Sequence, residues 1–113
     1  MNKKAVELKL GIVLNTNDAE SVWNAFRLAN ASLKENRETT VFLLGKAVEC
    51  ENIQKDDFDV QKELNSFKES NGRLLACGTC LRLREQKTKV CSVSSMQELL
   101  ELVKESDKLI SLG

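Results

Sequence analysis

Residues 73–85 have the sequence RLLACGTCLRLRE, and this stretch guides the interpretation of the rest of the chain. The mainly apolar run from Arg73 to Cys77 predicts a buried strand, and Gly78 lets the backbone turn tightly into a short helix that ends at Glu85. A strand followed at once by a helix is the repeating unit of α/β proteins. We therefore expect similar units elsewhere in the sequence.

Strand-like and helix-like patterns alternate along nearly the whole sequence. Helical spacing of apolar residues follows Asp18, starts again at Val60 and returns after Ser95, while Asn71-Gly72 supplies a helix stop. This alternation predicts an α/β fold with a parallel sheet covered by helices on both faces. The predicted strands cover residues 8–14, 39–44, 73–77, 88–93 and 108–112.

Two segments between these patterns carry more specific expectations. The polar, acidic stretch from Lys46 to Asp57 predicts a loop, with room for a turn of helix. Ser95 and Glu98 form a capping box, in which the hydroxyl and the carboxylate satisfy backbone amides reciprocally. The buried stripe of the helix that follows is predicted to consist of Met96, Leu99, Leu100 and Val103.

Length and charge restrict the possible classes of protein. A chain of 113 residues suits one domain, residues 1–113, with a core of its own. Seventeen basic and seventeen acidic residues balance, so nothing favours a nucleic acid or an anionic membrane as partner. Met1–Leu8 lacks the apolar region of a secretory signal, and no run is long enough to span a bilayer. We therefore expect a cytoplasmic protein with mostly reduced cysteines.

The absence of histidine limits the chemistry that this chain can perform alone. Cys-His pairs, Ser-His-Asp triads and His-ligated metals are all excluded within it. A nucleophile in this chain must be activated by backbone dipoles, by Lys or Arg, or by a partner protein.

Cys77 is the strongest candidate for such a nucleophile. In open α/β sheets, functional residues collect where strands end and helices begin, and Cys77 ends a predicted strand. Amides and the positive end of a helix dipole lower the pKa of a thiol in that position. Cys80 follows within the first helical turn, near enough in principle for a disulfide, while Arg82 and Arg84 could add positive potential. The alternative is that both cysteines are small buried apolar residues.

The other cysteines and strand ends give weaker signals. Cys91 is expected near Cys77 if neighbouring strand ends converge, although packing roles suit both Cys50 and Cys91 better. Structural zinc usually needs two close-spaced cysteine pairs and only one exists, so we predict neither a metal nor another cofactor. The rim of a possible ligand pocket is predicted to include Asn17, Gly45, Gly78, Thr79 and Cys91.

Residues 75–82 (LACGTCLR) and 90–96 (VCSVSSM) resemble the DsrE/DsrF-like family, most closely the C-terminal domain of YedF-type proteins. The resemblance implies a three-layer α/β/α domain with a five-stranded, mainly parallel sheet. It also implies homo-oligomers, commonly trimers or hexamers. Members with known roles carry persulfides in sulfur relays, and the sulfur-accepting cysteine of that family corresponds to Cys77. Cys80 corresponds to the second cysteine of a Cys-Gly-Thr-Cys subgroup.

Three functions remain open from the sequence. The leading hypothesis is persulfide transfer through Cys77, between a sulfur donor and an acceptor protein, with Cys80 resolving or protecting the persulfide. The second is a non-catalytic, oligomeric module that binds a ligand or partner and whose cysteines are structural. The third, a thiol-disulfide oxidoreductase, is disfavoured because the chain lacks the proline that faces thioredoxin-type cysteine pairs.

Overall fold

The computed structural model describes residues 8–113, so the prediction that the chain begins without a secretory signal concerns residues that lie largely outside it. Strands and helices alternate through the described part. The strands are β1 (Lys9–Leu14), β2 (Glu38–Leu43), β3 (Arg73–Cys77), β4 (Ser92–Ser94) and β5 (Lys108–Leu112). The helices are α1 (Ala19–Lys34), a 3₁₀ helix (Gly45–Asn52), α2 (Val60–Glu69), α3 (Gly78–Leu83) and α4 (Met96–Glu105).

The five strands form one sheet in the order β4-β3-β2-β1-β5, and each pair of neighbours is parallel. The register aligns Leu14 with Leu43 and Cys77 with Ser94, so the carboxyl ends of the strands lie along one edge of the sheet. The sequence-based prediction of a parallel α/β sheet is confirmed. Within residues 8–113, none of the helices has the combination of length and apolar character that crossing a membrane requires.

Helices α1 and α2 cover one face of the sheet. Asp18 caps α1 by accepting a hydrogen bond from the Ser21 amide at 3.0 Å. Phe26 of α1 meets Phe67 of α2 edge to face, with 5.6 Å between ring centroids. The 3₁₀ helix also contributes buried side chains to this face, which holds the larger core cluster.

The opposite face is covered by α4 and holds a smaller cluster of Phe42, Leu75, Cys77 and Leu102. Leu102 is the one buried residue of α4, and Leu99 packs beside it. The predicted buried stripe is therefore wrong in three of its four members, because Leu99 and Leu102 face the sheet and the other apolar side chains turn outward. Met96, Leu100 and Val103 are 58%, 50% and 43% exposed.

Two segments differ more substantially from prediction. The expected loop after Gly45 is instead a 3₁₀ helix of eight residues, because its apolar side chains at Ala47, Val48 and Cys50 pack into the core. Strand β4 has three residues and begins at Ser92 rather than at Thr88. The Thr88 hydroxyl accepts hydrogen bonds from the backbone amides of Val90 and Cys91, and this local turn replaces the predicted start of the strand.

Candidate active site at the end of strand β3

Cys77 is the last residue of β3 and also the N-cap of α3, so one side chain stands at the junction of strand and helix. Gly78 begins α3 in tight contact with the neighbouring strand. A Cβ atom at Gly78 would lie 3.1 Å from Val93 Cγ1 and 3.3 Å from the Ser94 carbonyl oxygen. A glycine is favoured here because the helix starts against β4 with little space for a side chain.

The first turn of α3 places groups that favour an anion near the Cys77 sulfur. Burial disfavours the charged thiolate, but the nearby Cys80 amide, Cys80 thiol and Thr79 amide favour it, and the Arg82 charge adds attraction. These interactions outweigh burial and hold the pKa of Cys77 below its ordinary value. The arrangement can stabilise a sulfur anion.

The same sulfur is well shielded from solvent. Cys77 is 3% exposed, and it packs with Phe42, Leu75 and Leu102 on the face that α4 covers. A reagent therefore reaches the sulfur only when surrounding side chains or the start of α3 move. Cys77 therefore lies in an environment that favours its anionic form but restricts access of solvent and reagents to its sulfur.

Cys80 connects Cys77 to the end of β2. Its sulfur accepts a hydrogen bond from the Gly45 amide at 3.2 Å, and its side chain packs against the cluster that contains Cys77. Gly45 has a φ of +54°, a left-handed conformation that glycine adopts readily. The predicted site residues Cys77, Cys80, Gly78, Thr79 and Gly45 thus come together.

Arg82 and Arg84 extend from α3 in different roles. Arg82 Nη2 donates to the Thr79 hydroxyl at 3.3 Å, which holds the guanidinium beside the start of the helix. Arg84 Nη1 donates to the Cys80 carbonyl oxygen at 3.2 Å, and its Nε lies 3.5 Å from the Glu49 carboxylate. Arg82 is therefore the cation associated with Cys77, and Arg84 fixes α3 against the 3₁₀ helix.

The sequence profile of the DsrE/DsrF-like family matches residues 9–112, which is nearly the whole chain. The chain belongs to the DsrE/DsrF-like family. Its structure is similar to that of the YchN protein from E. coli, with a TM-score of 0.81 and 25% sequence identity over 92% of this chain and 98% of YchN. No curated protein is a significant match.

Two other solved structures share the fold of this DsrE/DsrF-like protein. The protein of unknown function BT1422 from Bacteroides thetaiotaomicron has a TM-score of 0.72 at 23% identity, covering 91% of this chain and 93% of its own. MTH1491 from Methanobacterium thermoautotrophicum, also of unknown function, has a TM-score of 0.70 at 13% identity, covering 92% and 99%. These two similarities concern the fold alone.

Cys91 does not join Cys77 in this DsrE/DsrF-like protein, contrary to the expectation that neighbouring strand ends would bring them together. Cys91 precedes β4 and packs against the larger core cluster, whereas Cys77 faces α4 on the other side of the sheet. Its sulfur lies 4.0 Å from a Glu51 carboxylate oxygen. Burial raises the pKa of both Cys91 and Cys50, so these two thiols are poor nucleophiles at neutral pH.

Asn17 is likewise separate from the residues around Cys77. Its side-chain amide donates to Glu49 at 2.9 Å, and it borders a shallow cleft of about 250 Å³ together with Asn52, Ile53 and Gln86. Asn17 and Cys91 are therefore not part of a common rim with Cys77. The predicted rim was too wide because Asn17 binds Glu49 of the 3₁₀ helix and because Cys91 precedes β4 rather than following it.

Sequence reasoning missed Ser94 and Glu51. Ser94 is opposite Cys77 in the sheet register, is 8% exposed and donates its hydroxyl proton to Glu98. The Ser95 hydroxyl accepts from the Glu98 amide as the capping box predicts, but the Glu98 carboxylate binds Ser94 instead of completing the box. Glu51 accepts hydrogen bonds from the Thr88 hydroxyl and the Lys89 amide at 2.6 and 2.9 Å. The Glu51 contacts join residues 37 and 38 positions apart, so no local sequence pattern signals them.

The site has no grouping of side chains suited to a metal ion. Across residues 8–113, no three His, Cys, Asp or Glu side chains lie together as potential ligands. The chemistry available to Cys77 in the described structure is that of a thiol whose anionic form is favoured by nearby amides, a second thiol and a guanidinium.

Proposed function

We propose that this protein carries a persulfide on Cys77 as part of a sulfur relay. The proposal is supported chiefly by the position of Cys77 at the junction of β3 and α3, where the nearby Thr79 and Cys80 amides and the Arg82 charge favour an anionic sulfur. A persulfide ends in a sulfur that also ionises readily, so the same donors suit the loaded and unloaded states. Membership of the DsrE/DsrF-like family agrees with a sulfur-relay role.

The proposed reaction needs no oxidant and no cofactor. The Cys77 thiolate attacks the outer sulfur of a donor persulfide, R–S–SH, forming Cys77–S–SH and releasing R–S⁻. An acceptor thiolate, R′–S⁻, then attacks the outer sulfur of Cys77–S–SH, forming R′–S–SH and restoring the Cys77 thiolate. In each step one sulfur–sulfur bond forms and one breaks, and the electron pair leaves with the departing thiolate.

Cys80 has a separate proposed role as resolving thiol. Its thiolate can attack the inner sulfur of Cys77–S–SH, giving a Cys77–Cys80 disulfide and releasing HS⁻. The packing of Cys80 against the cluster that contains Cys77 supports this role, because it places the two thiols in the same region of the site. We infer that this step protects Cys77 from irreversible oxidation when no acceptor is present.

The test is to incubate the reduced protein with a low-molecular-weight persulfide and to measure the mass of the peptide that contains Cys77. We expect one added sulfur atom on the wild type and on Cys91→Ser, and none on Cys77→Ser. Cys80→Ser should accumulate more of the Cys77 persulfide because the resolving step is removed. Equal labelling of wild type and Cys77→Ser, or no labelling of either, would refute the proposal.

We also propose that the protein acts as a cytoplasmic homo-oligomer, a trimer or hexamer, without nucleic acid or membrane as partner. The outer apolar face of α4, formed by Met96, Leu100 and Val103, supports the oligomer because exposed apolar clusters commonly mark protein interfaces. Sedimentation analysis checks this directly. A monomer at micromolar concentration would contradict it.

A second candidate function is supported by the burial of Cys77. At 3% exposure the thiol resembles a packed core cysteine, which suits a non-catalytic module that binds a ligand or partner. Under that alternative, Cys77→Ala retains the binding partner of the wild type with unchanged affinity, and no sulfur adduct forms on the wild type.

A further inference from the structure

The side chain of Cys77 lies on the face of the sheet that α4 covers. It packs there in one cluster with Leu102 of α4, and Leu99, one turn earlier in the helix, packs against the same cluster. Paired residues of parallel strands direct their side chains to the same face, so Ser94, which is opposite Cys77 in the register, also faces α4. The first two turns of α4 therefore cover the part of the sheet that holds the buried thiol.

The C-terminal end of α4 is firmly attached to β1. A Cβ atom at Gly11 would lie 2.7 Å from Ser106 Oγ and 3.5 Å from Leu102 Cδ1, so the end of the helix lies directly against the strand. The Lys9 amide donates to the Asp107 carboxylate at 2.7 Å, and the Asp107 amide donates to the Lys9 carbonyl oxygen at 2.9 Å. Both packing and hydrogen bonds therefore hold this end of the helix in place.

The N-terminal turn of α4 is attached to the sheet by fewer contacts. The Ser95 hydroxyl accepts from the Glu98 amide within the helix itself, so this cap does not bind the helix to the sheet. Met96 is exposed. Within residues 8–113, the hydrogen bond from the Ser94 hydroxyl to the Glu98 carboxylate is the one side-chain hydrogen bond between this turn and the sheet. Leu99, which is partly buried, adds an apolar contact.

The other helix beside the thiol, α3, is held by more contacts. Leu81 is buried in the larger core cluster. Arg84 Nε lies 3.5 Å from the Glu49 carboxylate of the 3₁₀ helix, and the Gly45 amide donates to the Cys80 sulfur at 3.2 Å. Regions with few buried contacts open at the lowest free energy. The first turn of α4 is therefore the part of the enclosure that opens with the smallest loss of contacts.

We propose that the first turn of α4, residues 96–99, is a gate over Cys77 that the hydrogen bond from Ser94 to Glu98 holds closed. Leu99 is the side chain that leaves the cluster when the gate opens, while the C-terminal end of α4 stays attached to β1. This inference rests on the proposed function and deepens it, since it names the route by which a sulfur donor reaches the same Cys77. Ser94 and Glu98 are positioning residues, because they act through α4 and not on the sulfur.

The test is the alkylation of the folded protein by iodoacetamide, with each cysteine-containing peptide quantified by mass spectrometry. Rates are compared at pH values where the rate at Cys77 no longer rises, so that differences in the ionisation of its thiol cancel. The measured quantity is the ratio of the rates at Cys77 and Cys50, because the fully buried Cys50 reports global unfolding. We expect Ser94→Ala to raise this ratio about three- to tenfold, as the loss of one hydrogen bond of the closed state predicts.

Three variants separate the gate from charge and from α3. Glu98→Ala should raise the ratio as Ser94→Ala does. Glu98→Gln should raise it less, because the glutamine side chain keeps an oxygen that accepts from the Ser94 hydroxyl. Glu49→Gln weakens the ion pair between α3 and the 3₁₀ helix and should leave the ratio unchanged. A ratio that Ser94→Ala and Glu98→Ala leave at the wild-type value, or that Glu49→Gln raises as much, would overturn the proposal.

Leu99→Ala tests the same gate without changing a polar group, and Leu100→Ala on the exposed side of the helix is its control. We expect the first variant to raise the ratio and the second to leave it unchanged. Equal ratios in the two variants would contradict the assigned role of Leu99. Failure of a small persulfide to label Cys77 in wild type and in Ser94→Ala would refute the proposed function, while the alkylation ratio still tests the gate.

Discussion

Replacing Cys80 by alanine removes a sulfur atom that has two effects in the candidate site. The Cys80 thiol favours the anionic form of Cys77, and its sulfur accepts a hydrogen bond from the Gly45 amide at 3.2 Å. Cys80→Ala therefore weakens the anionic form of Cys77 and leaves the Gly45 amide without its sulfur acceptor. The backbone amides of Thr79 and Cys80 remain, so part of the stabilisation of the thiolate survives.

The size of each effect follows from the type of hydrogen bond. Bonds to charged groups contribute about 1.5–3 kcal/mol, and a thiol is a weak donor, so about 1 kcal/mol is expected for Cys77. That value lowers the thiolate population of Cys77 about fivefold at pH values below its pKa. An amide without its acceptor costs about 1 kcal/mol where water can partly replace the sulfur, which lowers the Tm of a domain this size by about 4 °C.

The assay is the pH dependence of the alkylation rate at Cys77, measured by peptide mass spectrometry, together with the melting temperature. Cys80→Ser is the matched control, because its hydroxyl both donates and accepts and should restore most of each property. A Cys80→Ala protein with the same alkylation profile as wild type would refute the role of the Cys80 thiol. So would a Cys80→Ser protein that is indistinguishable from Cys80→Ala.

Three further predictions concern stability and assembly. Leu102→Ala should lower the free energy of unfolding by about 2–3 kcal/mol and the Tm by about 8–13 °C, since it leaves a cavity in the smaller core cluster. The control Glu101→Ala, at an exposed position of α4, should change the Tm by less than about 2 °C. Leu100→Asp should shift sedimentation towards the monomer with the fold retained, because a charge is introduced into an apolar surface; an unchanged oligomer would exclude this face as the interface. The pKa of Cys77 is lower in the folded state than in the unfolded one, so the stability of the wild type should rise relative to Cys77→Ser as pH increases from that lowered pKa towards 9.0. Urea unfolding of both proteins at several pH values measures this difference. A stability difference that stays constant across this pH interval would contradict the assigned ionisation.

The fold was predictable because local patterns and the global sheet agree. The buried runs at β1, β2 and β3 and the helical spacing at Val22, Phe26 and Ala29 give the parallel α/β arrangement directly. The strand-to-helix junction at Cys77 and Gly78 was equally predictable, since a strand pattern, a glycine and a helix start follow one another in the sequence. These features depend on residues that are close along the chain.

The errors arise where distant residues determine the structure. Glu51 holds the loop before β4 through Thr88 and Lys89, and a pairing across nearly forty residues leaves no local pattern. The α4 stripe was misassigned because the five apolar residues of this helix span an arc of about 160°, and periodicity alone does not tell which of them face the sheet. Asn17 lies apart from Cys77 because its side chain binds Glu49 of the 3₁₀ helix, a contact between residues 32 positions apart.

The central claim is that the first turn of α3 favours the thiolate form of Cys77. The most direct test is the alkylation rate of every cysteine in one folded sample as a function of pH, with each peptide quantified separately. We expect the midpoint for Cys77 to fall below 9.0, and the midpoints for Cys50 and Cys91 to lie above it. A Cys77 midpoint at or above that of Cys91 would contradict the assigned site.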